Sequence, residues 1–192
     1  VSSASTGGTG AVFVMASDIY RQFYPELADT LLARGKLAWD FLKAHPEGVQ
    51  SPLPVGVETG GYSDSDDSEE RFWLACQLAV ATGDTEYTDY VKDNLTDAAP
   101  LISGSGWPDP ANFGAFFYLL SDFTGKDESI ETVFKENLKN LADRIQTRCM
   151  NDGFICPLST SQYYWGSNLF VFDYGFSLAV ASLFFPNEGY LD

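Results

Sequence analysis

Along most of the chain, apolar residues recur at three- and four-residue spacing, while strict alternation of apolar and polar positions is nearly absent. That periodicity predicts a mainly α-helical protein. Val12, Met15, Ala16, Ile19 and Phe23 form one stripe across residues 9–23, and Leu27, Leu31, Ala38 and Leu42 form a second across 25–44. Pro25 suits the first turn of the second helix, where a missing N–H goes unnoticed. Further helices are predicted over 69–82, 86–96, 110–123, 128–149 and 165–184.

The connections alternate in length. Short turns fall at 23–26, 82–85 (TGDT), 124–127 (TGKD) and 186–189 (PNEG), and each is expected to join two antiparallel helices. Longer segments at 45–68, 97–109 and 150–164 are rich in Gly, Pro, Ser and aromatic residues. Because antiparallel helices reverse direction at every step, the short turns gather at one end and the long loops at the other. Binding residues usually sit on such loops. Helix hairpins repeating along the chain predict an all-α toroid of hairpins packed around an axis. Four hairpins would leave the ring open, with two apolar flanks.

Three long-loop segments carry candidate chemistry. GGYSDSDDSEERFW places Asp64, Asp66, Asp67, Glu69 and Glu70 within seven residues. Crowded carboxylates repel one another, and a hard cation with oxygen ligands, calcium above all, relieves the repulsion. A solvated loop whose last acids occupy the first turn of a helix is the alternative. The spacing is not that of an EF-hand. Asp64 to Asp67 also fits a DxDD pattern used by some α-toroid terpene cyclases, a short pattern in so acidic a chain. In SGSGWPDPANFG, Trp107 precedes Asp109, which is placed either to cap the following helix or to reach the acidic loop. In SQYYWGSN, Tyr163, Tyr164 and Trp165 precede Gly166, Ser167 and Asn168. Aromatic faces beside amides and hydroxyls suit sugar rings, although each aromatic is equally at home in a core.

Composition narrows the partners. Eleven basic against 27 acidic residues give a net charge of −16, which disfavours nucleic acid and anionic membranes. Metal ions and neutral polymers such as polysaccharides suit that surface better. With 45% apolar and 15% aromatic residues the chain has a core to build and is no disordered acidic tail. No apolar run approaches the roughly 20 residues of a membrane span. The lone histidine, His45, sits at a helix end before Pro46 and suits a capping role. One histidine and three scattered cysteines argue against a zinc site. Cys149 and Cys156 flank a polar loop, and whether they are bridged stays open.

Taken together, ELADTLLARGKLAWDFLKAHPEG, GGYSDSDDSEERFWLACQLAVATGDTEY and YYWGSNLFVFDYGFSLAVA resemble consecutive signature stretches of glycoside hydrolase family 9. The opening VSSASTGGTGAVFVMASDIYRQFYPELA resembles the subgroup with an immunoglobulin-like module before the catalytic domain. The resemblance implies an (α/α)6 barrel of which residues 1–192 form the central part, with about four of its six hairpins. It implies an inverting β-1,4-glucan hydrolase, in which an Asp base activates water and a Glu acid protonates the leaving oxygen. Neither catalytic motif occurs in this stretch, so no catalytic residue is expected here and the chain alone is expected to be inactive. The resemblance further implies a calcium site at Asp64, Asp66, Glu69, Glu70 and Asp109. Trp165, Tyr62 and Trp107 are implied as cleft aromatics against a β-glucan. Glu69 and Glu70 stand where relatives more commonly carry an Asp–Glu pair, which makes the ligand at Glu69 one methylene longer, and Leu169 stands where some place a polar contact. Secretion is implied, as is a partner for the open flanks, either the rest of the domain or another chain. A non-catalytic glycan-binding or scaffold module is the alternative.

Overall fold

The computed structural model describes residues 2–50, 55–57, 64–104 and 109–191. Among them lie eight α-helices: α1 (Ser3–Tyr20), α2 (Pro25–Ala44), α3 (Ser68–Thr82), α4 (Thr85–Asp93), α5 (Leu95–Ala98), α6 (Ala111–Leu120), α7 (Glu128–Asn151) and α8 (Asn168–Phe184). A single 3-10 turn at Thr160–Gln162 precedes α8, and no extended strand occurs among the described residues. The fold is all-α, as the spacing predicts. Helices α1, α3 and α6 lie side by side, each with an antiparallel companion, α2, α4 and α7 in turn, and α8 packs on α7. This is the hairpin arrangement of part of an (α/α)6 barrel.

Two of the short turns, TGDT and TGKD, abut at one end. Gly83 caps α3 in the left-handed region with φ 67°, and its position lies against the Thr124 carbonyl of the TGKD turn, where Gly125 has φ 87°. A Cβ on Gly83 would come within 2.7 Å of that oxygen, so the abutting turns require glycine for both space and conformation. Asp84 and Asp127 then cap α4 and α7 by accepting backbone N–H bonds from Glu86 and from Ser129 and Ile130. The main core is Phe72, Leu74 and Leu78 of α3 against Tyr118 of α6 and Phe134 and Leu138 of α7. Tyr118 meets Phe134 edge to face at 5.5 Å, and its hydroxyl accepts the Asp127 N–H at 2.8 Å.

The first helix departs from the sequence reading. It begins at Ser3, six residues earlier than its apolar stripe, and the face it buries is Ser3, Gly7, Gly10, Ala11, Val14 and Ser17. Small residues let α1 approach α2 and α3 closely: a Cβ on Gly10 would stand 2.7 Å from Ala38, and one on Gly35 only 2.3 Å from Val14. The stripe read as the core face instead points into an open apolar groove. Val12, Met15 and Ile19 line it with Trp73, Phe116 and Phe176, around a volume of about 480 Å³. Leu27 of α2 is likewise exposed, while Ala28, Gly35, Trp39 and Leu42 are buried. Periodicity placed α2 correctly, with Leu42 and Ala38 of its stripe at the core, and for α1 it missed the first turns and the face that meets α2 and α3.

Candidate functional site

At the long-loop end, Arg71 fixes the start of α3 against the end of α2. Its guanidinium donates to both Asp67 oxygens at 2.6 and 2.8 Å and to the carbonyls of Leu42 and His45 at 2.7 and 2.6 Å. The Leu42 carbonyl, in the last turn of α2, also accepts the His45 N–H at 3.1 Å, and the His45 carbonyl just beyond the helix also accepts the Gly48 N–H at 3.2 Å, so the Arg71 side chain adds to these bonds and ties the end of α2 to the acidic loop. Burial alone would raise Asp67, but hydrogen bonds from Arg71 and Ser3 outweigh it and hold the carboxyl below its ordinary value. His45 caps α2, its ring 2.8 Å from the Phe41 carbonyl, as its position suggests. Asp67 therefore serves the scaffold.

The remaining acids divide. Asp66 is exposed and its Oδ1 accepts the Ser68 N–H at 3.0 Å in a local turn. Glu70 is only 8% exposed, packed beneath α1 beside Gly7. Burial pushes its carboxyl up to about 7, and the charges of Asp64, Glu69 and Asp67 push the same way. Asp109 accepts a backbone bond from Ala111 at the start of α6, and burial followed by the charge of Glu69 pushes it up to about 6. Asp64, Glu69, Glu70 and Asp109 thus share one electrostatic neighbourhood, although 39 residues separate Glu70 from Asp109.

Two oxygens there, Asp64 Oδ2 and Glu70 Oε2, are buried without a hydrogen-bond partner among the described residues. Buried carboxylate oxygens without donors are costly, and a cation removes the cost without the protonation that the raised Glu70 carboxyl otherwise favours. The donor chemistry fits a hard, oxygen-seeking ion. Among the described residues, no three His, Cys, Asp or Glu side chains are gathered tightly enough to hold one by themselves. Residues 58–63, which precede Asp64, lie outside the described residues.

Asp173 joins the neighbourhood without any sequence signal. It is buried in α8, and its charge adds to the upward push on Asp109. The segment 101–104 runs against it: a Cβ on Gly104 would meet Tyr174 at 2.7 Å and Asp173 Oδ2 at 2.9 Å. Asn112 organises that segment, accepting the Leu101 N–H at 2.5 Å and donating to the Ser103 carbonyl at 2.8 Å. Leu101 is fully buried at φ 63°, a conformation that costs a non-glycine residue energy and that the Asn112 bond helps enforce.

Of the three candidate sugar-stacking aromatics, Trp165 is described, and Tyr62 and Trp107 lie outside the described residues. Trp165 is 86% exposed at the head of α8, on the same end as Glu70 and Asp109. Its platform is braced from behind by Tyr164 against Phe170 and by Gln162, which donates to the Tyr174 hydroxyl at 2.7 Å. Both contacts tie the residues just before Trp165 to α8.

Known proteins share this arrangement. The model of glycosyl hydrolase family 9 matches residues 1–192. Endoglucanase D of Acetivibrio thermocellus is 32% identical over 192 residues, which is all of this chain and 30% of that protein. The crystal structure of the family 9 endoglucanase J30 superposes with a TM-score of 0.89 at 25% identity, over 99% of this chain and 35% of that one. The structure of AaCel9A in complex with cellobiose-like isofagomine superposes with a TM-score of 0.85 at 26% identity, over 95% and 34%. The chain spans about a third of the length of each.

Proposed function

The chain belongs to glycosyl hydrolase family 9, and from that membership we propose that it forms the central part of an inverting β-1,4-glucan hydrolase domain. Its contribution is a cleft wall and a calcium loop, and the Asp base and Glu acid belong to other parts of the domain. The observation that carries this reading is the exposed, braced indole of Trp165 on the loop end of the barrel. An indole face stacks on the C–H face of a pyranose, and the −16 net charge leaves a neutral polymer as a compatible substrate. Tyr62 and Trp107, which the family resemblance also implies as cleft aromatics, belong to the same proposal.

Asp64, Glu69, Glu70 and Asp109 hold the calcium in this reading, which supplies positive charge to the two orphaned oxygens and locks the acidic loop to the start of α6. Asp66 faces solvent and stays outside that set. Helices of the rest of the domain cover the groove lined by Met15, Trp73 and Phe116, whose open apolar walls are unlike a finished surface. A secreted protein fits a polymeric substrate, and no helix among the described residues is long and apolar enough to cross a membrane.

Affinity electrophoresis of the full-length protein through gels containing soluble β-1,4-glucan tests the cleft. Retardation that Trp165→Ala weakens by roughly tenfold, about 1.4 kcal/mol, is expected. Equal mobility of wild type and variant in glucan-containing gels would exclude Trp165 from the cleft.

A further inference from the structure

Cys149 lies in the last turn of α7, and Cys156 follows it by seven residues. Both are free, partly buried thiols, and both pack against the same small cluster of Leu141, Ile145, Leu158 and Tyr174. The segment between them folds back on Asp152. Its Oδ1 accepts the backbone N–H groups of Phe154 at 2.8 Å and Cys156 at 3.3 Å, while its own N–H donates to the Cys149 carbonyl at 3.4 Å. The turn thus returns Cys156 to the helix end that the chain has just left. Ile155 adopts φ 55° within it, a conformation a β-branched residue takes only where its surroundings enforce it. Burial and then the charge of Cys156 raise the Cys149 thiol above its ordinary value. The Tyr163 hydroxyl donates to Cys156 Sγ at 3.0 Å. Cys76 is set apart, fully buried in the main core.

We propose that Cys149 and Cys156 form a reversible oxidation site that closes an intramolecular disulfide across residues 150–155, driven by a small-molecule disulfide such as oxidised glutathione. The Cys156 thiolate, with Tyr163 donating to it, attacks one oxidant sulfur and gives a mixed disulfide. One glutathione thiolate leaves and takes up the proton that Cys156 lost. The Cys149 thiolate then attacks Cys156 Sγ, forms the internal S–S bond and expels the second glutathione thiolate, which takes up the proton from Cys149. The protein loses two protons and two electrons, and the oxidant becomes two thiols. The bond ties the end of α7 to the segment carrying Tyr163 and Trp165.

The test incubates the full-length protein with oxidised glutathione, alkylates the remaining thiols and maps the peptides with and without reductant. A Cys149–Cys156 cross-linked pair is expected, absent in Cys149→Ser and in Cys156→Ser and retained in Cys76→Ser. Chymotrypsin gives a second readout by cutting after Phe154, which is 94% exposed. The reduced protein should then separate into two pieces on a non-reducing denaturing gel, and the oxidised protein should stay joined until reductant is added. Glutathione that remains on Cys156 with no internal link, or a cross-link to Cys76, would overturn the assignment. These readouts count thiols and do not depend on any carbohydrate activity.

Discussion

Gly7 of α1 sits directly over Glu70 of α3: a Cβ built on the glycine would lie 2.8 Å from the Cβ of the glutamate. Through that contact the small-residue face of α1 seals one wall of the acidic neighbourhood. Gly7→Ala should cost about 1–3 kcal/mol through overpacking, because the obstructing atoms lie close to the backbone of α3. Gly8→Ala, whose Cβ meets ordinary contacts at 3.8 Å, should be neutral or stabilise by up to about 1 kcal/mol. Denaturant melts of the two neighbouring variants compare these directly.

Arg71 joins two helices and the acidic loop by four hydrogen bonds, with its side chain and that of Asp67 only 11% and 13% exposed. Arg71→Met should lose about 3–5 kcal/mol, since Asp67 is left as an unpaired, largely buried charge. Arg71→Lys should recover part of this and not all, because a single ammonium cannot reproduce the fork that meets Asp67 and both carbonyls. Urea denaturation midpoints give the ordering.

Asp127 supplies the pH dependence whose sign is clearest. Hydrogen bonds from Ser129 and Lys92, reinforced by the cap of α7, hold its carboxyl well below the ordinary 3.8. A carboxylate depressed in the folded state contributes stability that is full above its unfolded value and is lost as pH falls toward the folded one. Melting temperature should therefore drop below about pH 4, and Asp127→Asn, which still caps but no longer titrates, should flatten that part of the curve. Thermal melts at a series of pH values check this.

For the metal, calcium at 100 times its Kd should raise stability by about 2.7 kcal/mol, roughly 5–10 °C in melting temperature for a domain of this size. Asp64→Asn and Asp109→Asn should each shrink the shift, and Asp66→Asn should leave it. Identical melts in EDTA and in millimolar calcium would remove the ion from the account.

Helix positions were largely legible because Pro25 and the TGDT and TGKD turns punctuate them, and α2 begins and ends where the sequence places it. The start of α1 was hidden by Gly7, Gly8 and Gly10, poor helix formers that tertiary contact with Glu70 and Ala38 makes favourable. Its apolar stripe misled because Met15 and Ile19 face a groove left open among the described residues. At the site, the run of acids was visible as a run, yet its split into Asp67 bound to Arg71 and Glu70 sunk beneath α1 depends on three-dimensional packing. Asp173 and Asn112 gave no local signal, since their roles rest on a segment that folds back onto α8 and α6.

The most direct measurement of the central claim is kcat/KM of the full-length protein on soluble β-1,4-glucan, for wild type and Trp165→Ala with matched melting curves. Hydrolysis by the wild type that falls roughly tenfold in the variant, about 1.4 kcal/mol, is the expected result. An unchanged kcat/KM in a correctly folded Trp165→Ala protein, or no β-glucan hydrolysis by the full-length wild type, would contradict it.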